Sequence, residues 1–222
     1  MEAGSNLLLV EGTSDYGVIT NLWARHHPGH APFVVDPRFG LANLREAFTG
    51  LLLGSGIQRL GVVVDADEAV ETRWPGFYQV LVERGYRPVP KVLPSTGLVI
   101  HRPERNVPLV GVWVMPDNET GGRLEDFVSF MVPEGDKLWE HAGSAVDAIP
   151  DELRRFKPAH RAKAHVHTWL AWQKEPGVRL GPAVERRLLD ANIPQASAFV
   201  AWLQRLFVGE PRVADGHPRR DQ

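Results

Sequence analysis

The sequence predicts an α/β protein: a mostly parallel sheet with helices on both faces, followed by a C-terminal helical extension. Three observations carry this reading. Short apolar runs alternate with segments of helical spacing through the first half of the chain. The run "RLGVVVDAD" is unbroken in its apolar stretch, as suits a central strand covered on both faces. After about residue 123 strand-like runs give way to helical spacing alone. Strands alternating with helices in this way call for right-handed crossovers.

Taken in order, "NLLLVEG" reads as a short buried strand. "SDYGVITNLWARHH" reads as a helix through Tyr16, Ile19, Leu22 and Trp23, capped by Thr13 or Ser14, whose side-chain oxygens accept from free N–H groups. "APFVVD" is a second strand, and "LANLREAFTGLLLGSG" a helix ended by glycine, the residue that best tolerates a left-handed C-cap. The third strand is "RLGVVVDAD", the third helix "PGFYQVLVERGY", and two further strands are "GLVIH" and "LVGVWVMPD". The expected organisation is an α/β core over 1–122, a helical extension over 123–208 packed on it, and a disordered tail over 209–222. The extension comprises "LEDFVSFMV", "DKLWEHAGSAVDAI", "HRAKAHVHTWLAWQ" and "SAFVAWLQRLF", and the tail is polar and proline-bearing.

Bulk composition narrows the classes. At 222 residues and 43% hydrophobic, the chain can bury a core. A net charge of −2 excludes a polycation that binds nucleic acid by bulk charge alone. Without cysteine there are no disulfides, thiolate metal sites or cysteine nucleophiles, which agrees with a reducing cytoplasm. No secretory leader or membrane-length apolar run is visible, so a cytoplasmic protein with no membrane partner is expected.

The chemistry lies at the strand ends. In an open α/β sheet, ligands bind outside the carboxyl ends of the strands. Glu11, Asp65, Asp67 and Asp117 all fall there, with Asp15 one turn into the first helix. In an extended segment residues two apart point the same way, so Asp65 and Asp67 can share a target. Converging carboxylates repel unless a cation neutralises them, and an oxygen-only donor set suits Mg²⁺ or Mn²⁺. One acid at a strand end commonly just caps a helix; E-G-x-x-D after one strand with D-x-D after another is a rarer combination.

"VEGTSD" followed by "VVVDADEA" resembles the Toprim domain, shared by topoisomerases, bacterial primases, small maturation nucleases and OLD-family nucleases. Motif order and a spacing of about fifty residues agree. "VWVMPDNETGGRLEDFV" and "AKAHVHTWLAWQKEPGVRLG" further resemble stand-alone Toprim-like bacterial proteins lacking an assigned function. The resemblance implies a Toprim-like Rossmannoid sheet, with Glu11 as general acid or base and Asp65 and Asp67 as metal ligands. Asp15 would match the extra aspartate of the OLD-type pattern, where one ion becomes two. Glu125 or Asp126, and Lys163 as a catalytic lysine, stand as candidates for that pattern's remaining acid and lysine. The resemblance also allows an ATPase acting in trans, since "GLLLGSG" lacks the lysine and Ser/Thr of a phosphate-binding loop.

The remaining candidates are weaker. Asp117 is either a metal ligand or part of an Asp/Asn turn, and Glu125 and Asp126 open a helix whose dipole favours acids. His165 and His167, two apart on a helix, diverge by about 200° and make a poor metal pair. Trp169 and Trp172 read as packing residues. Arg154, Arg155, Lys157 and Arg161 form a cationic run that is either a solvated face or a hold on a phosphate backbone. The expected function is a Mg²⁺/Mn²⁺-dependent nuclease acting on DNA or RNA with one or two ions, in phage defence or nucleic-acid maintenance. The alternatives are a non-catalytic, metal-dependent nucleotide or nucleic-acid binding module and a structural subunit. An oligomer is compatible with the sequence.

Overall fold

The structure, a computed structural model, describes residues 5–53, 56–102 and 107–209. The expected disordered tail lies outside the described residues beyond Gly209, and the second helix ends at Leu51 with Leu52 as its C-cap in a right-handed conformation, short of the glycine C-cap expected for it.

Five strands form one sheet: β1 (Asn6–Val10), β2 (Val34–Pro37), β3 (Arg59–Asp65), β4 (Leu98–Ile100) and β5 (Leu109–Met115). Between the first four run α1 (Thr13–His26), α2 (Leu41–Leu51) and α3 (Val70–Glu83). After β5 come α4 (Leu124–Phe130), α5 (Lys137–Asp147), α6 (Arg161–Ala171), α7 (Leu180–Glu185) and α8 (Pro194–Phe207), with a 3-10 turn at Pro158–His160 before α6. The strand order is β2-β1-β3-β5-β4, parallel except for β4, which runs antiparallel on β5. The fold is α/β and Rossmann-like, as the alternation of strands and helices predicts. From β1 the chain crosses to one side for β2, then returns past β1 to β3. The β1/β3 junction is thus the switch point, where such sheets bind ligands.

The pleat sorts the core. Leu8, Val10, Val63, Trp113 and Met115 project to the face covered by α1, α4 and α6–α8. Leu9, Val62, Val64, Val112 and Val114 project to the face covered by α2 and α3. The late helices are therefore one wall of the sheet's own core. In α8, Phe199, Trp202, Leu203, Leu206 and Phe207 are all buried, each such side chain stabilising the fold by about 1.5–3 kcal/mol. α8 can approach so closely because β5 carries Gly111 beneath it; a Cβ there would lie 2.5 Å from Leu206 Cδ2. Trp202 Nε1 donates to Leu98 O at 2.9 Å, tying α8 to the edge strand.

Two boundaries differ from expectation. α3 begins at Val70, ahead of Pro75, because Val70 and Trp74 are buried in the core and that burial outweighs the backbone donor lost at the proline. At α1, neither Thr13 nor Ser14 caps; Gly12 is the N-cap, and its N–H donates to Asp15 Oδ2 at 3.0 Å. Among the described residues, no helix is long and apolar enough to cross a membrane.

Candidate metal and phosphate site

Three elements bring acids to the switch point. β1 ends just before Glu11, α1 carries Asp15 in its first turn, and β3 ends on Asp65. Asp65 N–H donates to Glu11 Oε1 at 3.0 Å, which fixes the glutamate against the neighbouring strand end. A fourth acid, Glu125, arrives on α4, whose Leu124 N–H donates to Asp65 Oδ1 at 3.0 Å. Asp15 and Glu125 are both buried.

The loop from β5 to α4 holds α4 in place. Ala66 N–H donates to Met115 O at 3.1 Å, continuing the β3–β5 pairing, and Asp67 N–H donates to Gly122 O at 2.9 Å in an isolated antiparallel bridge. Gly121 lies against the next stretch of backbone; a Cβ there would sit 2.2 Å from Glu68 O, so only glycine permits the approach. This contact sets where Leu124 and Glu125 meet Asp65.

The electrostatics follow from crowding and burial. Asp65 is pushed up to about 8, first by burial, then by the charges of Asp15, Glu11 and Glu125, against the Leu124 N–H that favours its ionised form. Asp15 is pushed up to about 7, chiefly by burial and then, among the raising influences, by Glu11 and Glu125. Glu11 is also raised by burial; the Asp65 N–H and the charges of Arg73 and Arg123 oppose the shift. Lys163 Nζ sits 3.1 Å from Glu125 Oε1, placing a cation at the rim of the cluster.

The other sequence candidates go elsewhere. Asp67 lies beyond the end of β3 with φ of 58°, and its side chain is not turned to a shared target with Asp65. Its carboxylate is held by Arg73 on Oδ2 and by Arg123, through Nε and Nη2 at 2.7 Å, on Oδ1. Asp117 closes its own turn, accepting from Glu119 N at 3.0 Å and Thr120 N at 2.8 Å. Asp126 accepts from Arg123 N–H at 2.8 Å and caps α4. In the basic run, Arg154 pairs with Asp151 at 2.7 Å, and Arg161 is bidentate on Asp147 at 2.7 and 2.5 Å, while Arg155 and Lys157 are exposed. His165 is buried and bonded to Trp139 O at 2.8 Å, and His167 is exposed. Trp169 is buried in the core, and Trp172 is partly exposed.

Sequence reasoning missed Arg73 and Arg123. Both line an open cleft of about 770 Å³ beside Asp67, which Ala159 of the 3-10 turn also lines. The only local signal was a basic residue six positions after Asp67; Arg123 reaches the same carboxylate from 56 residues away, which no spacing rule reveals.

The donor set is oxygen only. Asp15 and Glu125 are buried and Glu11 and Asp65 half-buried, and the charges of the set oppose one another at Asp15 and Asp65, which fits a hard divalent ion at these four carboxylates. Among the described residues, no three or more His, Asp or Glu side chains are grouped so that they could hold a metal ion as they stand. The sequence profile of a family described as "Protein of unknown function (DUF3226)" matches residues 5–208, and the chain belongs to that family. No curated protein and no solved structure matches the chain.

Proposed function

We propose that this member of the DUF3226 family is a Mg²⁺- or Mn²⁺-dependent phosphoryl-transfer enzyme, a nuclease that cleaves phosphodiester bonds of DNA or RNA. The observation that carries the reading is the gathering of Glu11, Asp15, Asp65 and Glu125 into one crowded acidic cluster at the sheet's switch point. A structural subunit has no use for Asp15 and Asp65 held far above the ordinary carboxyl range by burial and by the neighbouring charges of Glu11 and Glu125. The Toprim resemblance of "VEGTSD" and "VVVDADEA" agrees with it.

Glu11, Asp15, Asp65 and Glu125 would hold the ion, which when bound supplies charge neutralisation and Lewis-acid assistance at a phosphoryl oxygen. Glu11 exchanges the proton: burial raises its pKa above the ordinary carboxyl value, and its bond from Asp65 N–H fixes the carboxyl. Lys163, paired with Glu125, offers positive charge to a phosphate entering from the rim. Arg155 and Lys157, exposed and free to meet solvent, are the members of the basic run suited to a nucleic-acid backbone.

The test is direct. Purified protein with Mg²⁺ or Mn²⁺ should nick supercoiled plasmid or degrade RNA, and Asp65→Ala should slow it by about 100-fold or more. Undiminished cleavage by that variant overturns the reading. One observation favours a second reading, a metal-dependent binding module that does not cleave: Asp67 is engaged by two arginines. Metal-dependent oligonucleotide binding without turnover would select it.

A further inference from the structure

Two guanidiniums converge on one carboxylate in the open cleft beside the acidic cluster. Arg73 comes from α3 and Arg123 from the residue that caps α4, so the pair is held by two separately packed elements. Their exposures decide which partner is the fixed one. The side chains of Arg73 and Arg123 are 14% and 28% exposed, whereas Asp67 is 40% exposed. The arginines form the floor and the carboxylate lies over them on the solvent side. The floor also has unused capacity: Arg73 Nε is buried and makes no hydrogen bond. Asp67 holds its place at a φ of 58°, a left-handed conformation that aspartate adopts more readily than most L-residues and that turns its side chain away from the direction the strand would give it. Other acids border the cleft. Asp126 is turned to cap Arg123 N–H, and Glu68 makes no ion pair with either arginine among those the structure holds.

A forked, permanently charged guanidinium pair is suited to a phosphate group, which offers more acceptor oxygens than a carboxylate and can meet both forks at once. Both arginines also act on the charge of Glu11, so an anion held there lies within the electrostatic reach of the proton-handling group.

We propose that Arg73 and Arg123 form a phosphate-binding clamp whose resting occupant is the chain's own Asp67 carboxylate, displaced when a substrate phosphate enters. The assignment of that phosphate to a nucleic-acid backbone rests on the phosphodiester reading above; the clamp itself does not. Asp67 is then an internal stand-in for substrate, and its release from the clamp accompanies substrate entry.

The test uses the full chain in EDTA, where no cleavage occurs, with a fluorescein-labelled single-stranded oligodeoxythymidylate as probe and anisotropy as readout. Circular dichroism and thermal melting establish that each variant folds. Asp67→Asn, which vacates the clamp of competing charge, should tighten binding by about tenfold, as expected for a lost charge-assisted pair. Arg73→Gln and Arg123→Gln should weaken it by a similar factor, and Arg73→Lys should weaken it too, since lysine keeps the charge but lacks the fork. Glu68→Gln, which removes a cleft carboxylate outside the clamp, should change affinity far less. The decisive comparison adds Asp67→Asn to the Arg73→Gln/Arg123→Gln background, where its gain should vanish. A gain that survives there, a gain matched by Glu68→Gln, or no gain at all overturns the clamp. Should cleavage fail with Mg²⁺ and Mn²⁺ while this coupling holds, the clamp stands and the nuclease reading falls.

Discussion

Asp65 is where the cost of the site is concentrated. Its carboxyl titrates near 8 in the folded chain, against an ordinary value of 3.8, and Asp15 near 7. The folded state therefore holds protons that the unfolded chain has released, and stability contributed by these groups is whole below about pH 4. It is lost progressively as pH rises through the folded values. In EDTA, Asp65→Asn should be more stable than the natural chain at pH 8.5, by on the order of a few kcal/mol, with the advantage shrinking toward pH 5. Urea unfolding at both pH values checks it; an advantage that does not change with pH contradicts the crowding. Glu11 and Asp65 were legible in the sequence because strand-end position follows from apolar runs. The fate of Asp67 was not. Alternation along a strand predicts side-chain direction only while the chain stays extended, and the chain turns left-handed at Asp67 itself.

At the scale of elements, the β5–α4 loop decides the site. It delivers the Leu124 N–H to Asp65 and Glu125 to the cluster, and Gly121 is the point at which it touches the β3–α3 loop. A methyl group 2.2 Å from a backbone carbonyl cannot be relieved by a rotamer change, so one of the two loops must move. Gly121→Ala should therefore destabilise the protein by about 1–3 kcal/mol and weaken divalent-metal binding at the same time. Urea denaturation and Mn²⁺ titration of the variant read the two effects; lost stability with metal binding unchanged would separate this loop from the site. The helix at α4 was legible from its periodicity, and its acids were explicable as helix-start residues. Only one of them plays that part: Asp126 caps, whereas Glu125 is buried and faces Lys163. The basic run shows the same limit. Arg154 is occupied by Asp151 three residues before it, a pairing the sequence already allows, but the proximity of Asp147 to Arg161 arises from how α5 and α6 pack.

The whole molecule makes an acidic site affordable by surrounding it with a continuous core. One face of the sheet is covered by α2 and α3; the other is closed by α1 together with the late helices, down to Phe207 in α8. The sheet's alternation of strands and helices was readable from apolar runs alone. That residues 194–207 cover β3 and β5 was not, because an amphipathic helix shows that it packs and not where; the small Gly61 and Gly111 beneath Leu206 are the local hints. This packing keeps Glu11, Asp15, Asp65 and Glu125 together at one end of the sheet despite their mutual repulsion, and a cation is the charge that arrangement lacks. The measurement that tests this most directly is titration of the metal-free protein with Mn²⁺, followed by the electron paramagnetic resonance signal of the free ion. The natural chain should take up at least one Mn²⁺ at or below millimolar concentration, and Asp65→Asn should leave the ion free in solution. A natural chain that leaves the free-ion signal undiminished at millimolar Mn²⁺ would contradict the account.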